Sequence, residues 1–194
     1  MDWMEQAFGQ RLQQPDPTSC GAASLVIAQM SKDPEYAEFV MTGKHPGSGF
    51  LLAGSVKDRF SAETLAMHER VTGDKDARGR AQMPWPKALG TPPWAVARQM
   101  SAVTGTTYDS SAINPFNRKS ALRKIVDATS FGHVVPLYVG NRWSPRHVVL
   151  VLSPELEVYE PAAGKRVRMS EDDFTDARLD LAGWDKPWFS VLPD

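Results

Sequence analysis

The sequence QPDPTSCGAASLVIAQM, residues 14–30, decides the fold. Prolines and the capping candidates Thr18 and Ser19 come first, and the run AASLVIAQM that follows contains only two polar residues. This pattern predicts a helix from Ser19 to Met30 that is apolar on nearly all sides. Because such a helix avoids water only when other elements surround it, we expect it to run through the middle of the domain.

Four further helices are predicted before residue 132, since a capping residue or a proline precedes most of them and a glycine follows. The stretch before the first proline is a polar N-terminal arm. Residues 73–90 are polar and interrupted by prolines, which is typical of a functional or mobile loop. The predicted helices run from Pro34 to near Gly43, from Ser61 to Thr72, from Thr91-Pro92 to Gly105, and from Asn114-Pro115 onward.

After Gly132 the pattern changes to short β-branched or aromatic runs separated by Gly, Pro and Asn turns, which predict antiparallel strands. Ser170 and Asp173 form a capping-box pattern that predicts a short helix before the last strand. The strand runs are HVVPLYV, RHVVLVL, LEVYE, KRVRM and WFSVL. Helices first and a sheet second favour an α+β fold, and 194 residues favour a single domain over residues 1–194.

Composition gives no reason to expect nucleic acid or a membrane as a partner, since 22 Lys and Arg residues nearly balance 23 Asp and Glu residues. The N-terminal residues contain no apolar run of the kind found in a cleaved signal peptide, and no stretch approaches the roughly 20 apolar residues of a membrane span. We therefore expect a soluble protein, either cytoplasmic or exported without a cleaved signal. The oligomeric state is left open.

The single cysteine excludes an intrachain disulfide and a multi-cysteine zinc site. No histidine pair has metal-ligand spacing, and no Gly-rich phosphate loop is present, so we expect neither a metal nor a cofactor. A cysteine thiol is mostly protonated at neutral pH, and a helix N-terminus helps it to become the reactive thiolate. Cys20 lies in the first turn of the central helix, where the missing side chain of Gly21 would let substrate approach the backbone amide. The alternative is a small buried thiol.

QPDPTSCGAASLV resembles the active-site entrance of papain-like cysteine peptidases, most closely the double-glycine peptidases that process bacteriocin leaders and, second, the phytochelatin synthases. In both, a glutamine six positions before the Cys-Gly pair donates its side-chain amide to the oxyanion. Gln14 holds that position relative to Cys20, with Gln13 as the fallback. The resemblance implies a papain-like fold in which the nucleophile lies on a central helix packed on a C-terminal antiparallel sheet. It is not specific over residues 32–132.

A thiolate nucleophile also needs an imidazole, and four histidines can be considered. His45 lies in a Gly/Pro loop, and His68 lies on a helix flank, where we expect a solvated or lightly packed side chain. His133 begins a strand but has no partner in the sequence that recommends it. His147 begins an apolar strand after a Trp-Ser-Pro turn, and the resemblance places the catalytic base there.

Glu160 is the candidate third residue, because Glu160-Pro161 stands where the double-glycine peptidases have Asp-Pro. If Pro154 and Glu155 form a two-residue turn, Val149 faces Glu160, and alternation makes Glu160 the diagonal neighbour of His147. A three-residue turn would place Glu160 on the other face of the sheet unless a bulge restored the register. The alternative role is a surface carboxylate at the end of a strand.

These residues predict a thiol protease or related hydrolase that cleaves a peptide or isopeptide bond in a peptide or protein substrate. Cys20 is the nucleophile, His147 the base, Glu160 its partner and Gln14 an oxyanion donor. A glutamine deamidase or an acyl transferase, such as an exported effector, would use the same chemistry. A catalytically silent binding module is the third alternative. Trp85 and Trp143 are candidates for the walls of the cleft.

Overall fold

The structure, a computed structural model, describes residues 3–194 and confirms the α+β class. Within this range the helices are α1 (Trp3–Gly9), α2 (Cys20–Lys32), α3 (Pro34–Thr42), α4 (Val56–Thr72), α5 (Pro93–Thr104), α6 (Arg118–Ser130) and α7 (Glu171–Thr175), with a short 3₁₀ turn at Lys87–Leu89. The strands are β1 (Tyr108–Ala112), β2 (Val135–Gly140), β3 (Pro145–Val151), β4 (Glu157–Glu160), β5 (Lys165–Arg168) and β6 (Lys186–Pro193).

Helix α2 is buried along most of its length, as its apolar sequence predicts. It packs against α3, α4 and α5 on its helical side and against β3 of the sheet. The hydroxyl of Ser24, one of its two internal polar residues, donates to the carbonyl of Val148 at 3.4 Å. The helix begins at Cys20, so the N-terminal end of the most buried helix carries the only cysteine of the chain.

The strands form one antiparallel sheet in the order β1-β6-β2-β3-β4-β5. Strands β2 and β3 lie inside this sheet, and helices cover both of its faces. Tyr138 and Val148 pack into the cluster around α2, whereas Val149 packs with Ile125 of α6 on the opposite face. Burial on both faces explains why β3 is apolar at every position after His147 and does not alternate between apolar and polar residues.

Most predicted helix ends agree with the structure, and the exceptions have local causes. Helix α3 begins behind Asp33, whose carboxylate accepts the N–H groups of Glu35 and Tyr36. Helix α4 begins at Val56 and not at Ser61, because Ser55 and Asp58 form a reciprocal capping box five residues earlier than expected. The helix predicted from Asn114-Pro115 begins at Arg118, because residues 114–117 form a turn closed by side-chain amide contacts.

Two elements were not predicted. Trp3–Gly9 of the polar N-terminal arm is helical and buries Ala7. Strand β1 lies between α5 and α6 and pairs with the last strand, β6, so the helices do not all precede the sheet. Only Tyr108 of β1 is buried, which leaves no apolar alternation in its sequence. In the part of the chain described here, no helix has both the length and the apolar character needed to cross a membrane.

Candidate active site

A cavity of about 460 Å³ opens where the N-terminus of α2 meets the start of β3. Cys20 and His147 both line it. The rest of the lining comes from the turn before α2, from residues 85–93, from Tyr138 of β2 and from residues 144–148 at the start of β3. The cavity therefore contains the two residues that the sequence predicts as nucleophile and base.

The turn before α2 is organised by Asp16. Its carboxylate accepts hydrogen bonds from the backbone N–H of Thr18 at 2.8 Å and from the Thr18 hydroxyl at 2.7 Å. The Ser19 hydroxyl donates to the backbone carbonyl of Asp16 and does not cap the helix. Within residues 3–194, the backbone N–H of Cys20 has no acceptor, so the first turn of α2 presents a free donor beside the thiol.

Gly21 serves a different purpose from the one that the sequence suggested. A Cβ atom built on Gly21 would lie 2.7 Å from the Cβ of Thr91 and 2.8 Å from its hydroxyl oxygen. The space left by the missing side chain is therefore filled by Thr91 and is not open to substrate. Glycine is required here because the segment before α5 packs directly against the first turn of α2.

His147 and Glu160 form a direct pair, with 2.7 Å between Nε2 of the imidazole and Oε1 of the carboxylate. Both side chains are buried. The pairs Leu150↔Tyr159 and Val151↔Val158 belong to the register that a two-residue Pro154-Glu155 turn predicts. The diagonal contact expected from that register is therefore present, and Glu160 is not a solvated carboxylate at the end of a strand.

The carboxylate of Glu160 is held on several sides. Besides His147, it accepts the backbone N–H groups of Ala162 and Ala163, each at 2.8 Å. Burial alone would raise the pKa of Glu160, but these hydrogen bonds and the charge of His147 outweigh burial and lower the pKa. The carboxylate therefore stays ionised and fixes Nε2 of His147 as a donor.

The pKa of His147 is strongly shifted from the ordinary histidine value. Burial would lower its pKa, but hydrogen bonds with Cys20 and Glu160, together with the negative charges of both partners, raise the pKa to about 9. The stabilisation from the imidazolium is complete below the ordinary histidine value of about 6.5 and is lost as the pH rises through about 9. With Nε2 held by Glu160, Nδ1 is the nitrogen left for Cys20.

Gln14 lies near this pair but not on the cavity wall. Its backbone N–H donates to the carbonyl of Pro161 at 2.9 Å, directly after Glu160. Its side-chain amide donates to the carbonyl of Asp16 at 2.8 Å, and its Oε1 is buried without a partner. Gln14 is not among the residues that line the cavity. One of its amide hydrogens is thus engaged in the turn before α2.

The two candidate wall tryptophans differ in position. Trp85 lines the cavity and packs edge-on against Trp94, with ring centroids 5.2 Å apart. Trp143 is 73% exposed, carries the guanidinium of Arg142 over its ring and is absent from the lining. The Trp143 side chain itself therefore does not line this cavity, whereas the next residue of the same turn, Ser144, does.

No family model matches this chain, and no curated protein matches it at a significant level. The function is therefore inferred from the geometry of the site.

The other three histidines do not line the cavity. His68 is 4% exposed and its Nε2 is buried without a partner, so the expectation of a solvated or lightly packed side chain is wrong. Burial lowers the pKa of His68, although the charge of Asp16 opposes this effect. His133 precedes β2 and contacts the Tyr108 hydroxyl through Nδ1 at 3.4 Å, and His45 is exposed.

Sequence reasoning missed Thr91, Arg146 and Asp16 as components of the site. The pattern Asp16-Pro-Thr18 is a recognisable side-chain turn, so Asp16 could have been found. Thr91 and Arg146 have no local signal, because only the tertiary fold brings them to the cavity. A larger cavity of about 670 Å³ lies between β1, α6 and the end of β6 and contains none of the candidate residues. Among the described residues, no cluster of His, Cys, Asp or Glu is placed to hold a metal ion.

Proposed function

We propose that this chain is a papain-like cysteine hydrolase that cleaves a peptide or isopeptide bond through a thioester intermediate. The observation that carries the proposal is the 2.7 Å hydrogen bond between His147 and Glu160, together with the position of Cys20 and His147 in one cleft. A nucleophile, a base and a group that orients the base are the three parts that acyl transfer needs. The raised pKa of His147 favours an imidazolium at neutral pH, which is the partner that activates a cysteine nucleophile.

In the first half of the proposed reaction, the Cys20 sulfur attacks the carbonyl carbon of the scissile bond. A C–S bond forms, and the π electrons of the carbonyl move onto its oxygen. When this oxyanion collapses, the C–N bond breaks and His147 gives its proton to the departing amine. The products of this half are a thioester on Cys20 and a neutral amine.

In the second half, neutral His147 removes a proton from water as the water oxygen attacks the thioester carbonyl. The C–S bond then breaks, and the carboxylic acid product leaves. The thiolate of Cys20 and the proton on His147 are restored, so the cycle closes without a metal or an external reductant. Glu160 stabilises the imidazolium at both stages and is a positioning residue.

The oxyanion is assigned first to the free backbone N–H of Cys20, at the positive end of the α2 dipole. Gln14 is the proposed second donor, through the amide hydrogen that Asp16 does not use. This role requires a small rotation of the Gln14 side chain toward the cavity. The buried and unpartnered Oε1 of Gln14 favours such a rotation, since no hydrogen bond holds that oxygen.

Two features support the papain-like assignment: the order of thiol, imidazole and carboxylate along the chain, and the secondary-structure elements that carry them. The thiol begins the central helix, the imidazole lies on an inner strand of an antiparallel sheet, and the carboxylate follows on the next strand. The departure from the double-glycine pattern is glutamate in place of aspartate. The contact of 2.7 Å supports glutamate as a functional substitute.

The proposal is tested by incubating the wild type and Cys20→Ala with a peptide library, quenching in acid and measuring masses. We expect peptide fragments and an acyl adduct on the peptide that contains Cys20, both absent from the variant. Ammonia release with a gain of one mass unit and no cleavage would identify a deamidase, and transfer of the acyl group to an added amine would identify a transferase. Absence of any adduct from an intact, folded wild type contradicts the proposal and leaves a binding module.

A further inference from the structure

Two side chains that line the cavity beside Cys20 have polar atoms without a hydrogen-bond partner. The indole Nε1 of Trp85 and the hydroxyl of Thr91 are buried and have no hydrogen-bond partner. An indole N–H can only donate, and a buried donor without a partner costs free energy until it is satisfied. Because the Thr91 hydroxyl can also accept, the Trp85 indole is the one obligate donor of this pair that has no partner.

The charged side chains in the lining of the cavity are cationic. Arg146 and His147 are the two cationic side chains in its lining, and no carboxylate lines it in residues 3–194. The nearest acidic groups are already engaged, since Glu160 accepts from His147 and Asp16 accepts from Thr18. Since His147 is paired with Glu160, Arg146 is the cationic side chain of the lining that has no anionic partner, although the chain as a whole carries a formal charge of −1.

Arg146 is placed to act on a bound ligand. Alternation along β3 puts its side chain on the face of Val148, which lines the same cavity together with Tyr138. Within the described chain, the guanidinium makes no hydrogen bond, ion pair or ring contact, and the side chain is exposed. By contrast, the neighbouring Arg142 lies over the Trp143 ring at 4.3 Å and is outside the lining.

We infer that the substrate carries a carboxylate close to the scissile bond and that Arg146 binds this carboxylate, which makes Arg146 a specificity-determining residue. The inference rests on the proposed function for the identity of the reacting bond. A guanidinium suits this task because its planar donors match the two oxygens of a carboxylate. The carboxylate belongs either to an acidic side chain or to a chain terminus, since both present the same group.

The first test compares the alkylation of Cys20 by iodoacetate, which is an anion, with its alkylation by neutral iodoacetamide. The ratio of the two rate constants is independent of the fraction of thiolate, because the same thiolate reacts with both reagents. We expect Arg146→Gln to lower this ratio about fivefold to tenfold, which corresponds to the loss of one charge-assisted contact. Arg142→Gln is the matched control, and we expect it to change the ratio less than twofold.

An unchanged ratio in Arg146→Gln, or an equal fall in both variants, overturns the inference. Failure of the proposed function is a separate result, since it appears as slow reaction of wild-type Cys20 with both reagents while the ratio can still be measured. The charge of His147 is present in the wild type and in both variants, so its effect on the ratio cancels when they are compared.

The second test identifies the source of the carboxylate by protection of Cys20 from iodoacetamide. Three acetylated pentapeptides serve as probes: one amidated with a central glutamate, one amidated with glutamine, and the glutamine peptide with a free C-terminal carboxylate. Stronger protection by the first supports an acidic side chain, and stronger protection by the third supports a chain terminus. In either case, Arg146→Gln should abolish the difference in protection between the peptide that carries the carboxylate and the amidated glutamine peptide. Equal protection by all three, or none, contradicts the inference.

Discussion

The two walls of the cleft are built in different ways. The strand wall, residues 144–148, belongs to β3, whose register with β2 pairs Val139 with His147. The loop wall, residues 85–93, has only a 3₁₀ turn and the start of α5, and is held by separate contacts. Among these, the backbone N–H of Trp85 donates to the carbonyl of Thr72 at 2.9 Å, and the Tyr138 hydroxyl donates to the carbonyl of Thr91 at 2.8 Å.

This difference separates a wall fixed by strand pairing from a wall fixed by individual contacts. The strand wall carries the imidazole on a strand that is paired on both sides, which suits a group that must stay within hydrogen-bond distance of a thiol. The loop wall presents Trp85 and the 67% exposed Leu89 on irregular backbone, which suits contact with a substrate. We therefore expect changes to His147 and to Glu160 behind it to alter the reaction and the stability, whereas changes around the loop wall should alter stability with little effect on the thiol.

The largest effect is expected at the strand wall, from Glu160→Ala. This substitution leaves the His147 imidazole without its ionic partner and leaves the N–H groups of Ala162 and Ala163 without an acceptor. Breaking a buried pair in this way costs about 3–5 kcal/mol of unfolding free energy. Urea denaturation measures the loss. Glu157→Ala is the control on the same strand, where a solvent-exposed ion pair 4.0 Å long predicts a change below about 1 kcal/mol.

The strand wall was largely predictable, because the sequence pattern that specifies it is local and periodic. An apolar strand, a turn at Pro154-Glu155 and alternation of side chains suffice to place Glu160 beside His147. The loop wall was not predictable, because it is held by side-chain to backbone hydrogen bonds between residues distant in sequence. The Tyr138 hydroxyl, for example, donates to the carbonyl of Thr91, 47 positions away in the sequence, which no sequence pattern encodes.

The contact between the loop wall and α2 is tested by Gly21→Ala. The new Cβ would lie 2.7 Å from the Cβ of Thr91, so one of the two segments must move, at a cost of about 1–3 kcal/mol. Combining it with Thr91→Gly should recover part of the loss, seen as a coupling energy above about 0.5 kcal/mol in a double-mutant cycle. Gly9→Ala has no atom within 4 Å of the new Cβ and should change stability by less than about 0.5 kcal/mol. Additive effects of the two substitutions would show that the segments do not press on each other.

A smaller loss of stability is expected from Gln82→Ala, in the segment that precedes the loop wall. Removing the amide leaves carbonyls at the end of α4 without a donor, which costs about 1–2 kcal/mol. We expect the rate of Cys20 alkylation to change less than twofold, since the thiol and imidazole are untouched. Gln10→Ala, at an exposed position, controls for the loss of a glutamine. A large change in alkylation rate would mean that a change near the loop wall also disturbs Cys20 and His147.

The most direct test of the account is the pH dependence of Cys20 alkylation by iodoacetamide in the wild type and in His147→Gln. With His147 protonated up to about pH 9, the wild type should react readily at pH 6. An ordinary thiol is only about 0.3% ionised at that pH, so His147→Gln should react roughly 300-fold more slowly if the thiolate of the wild type is fully formed. Nearly superimposable profiles for the two proteins, both rising only above pH 8, would contradict the claim that His147 activates Cys20.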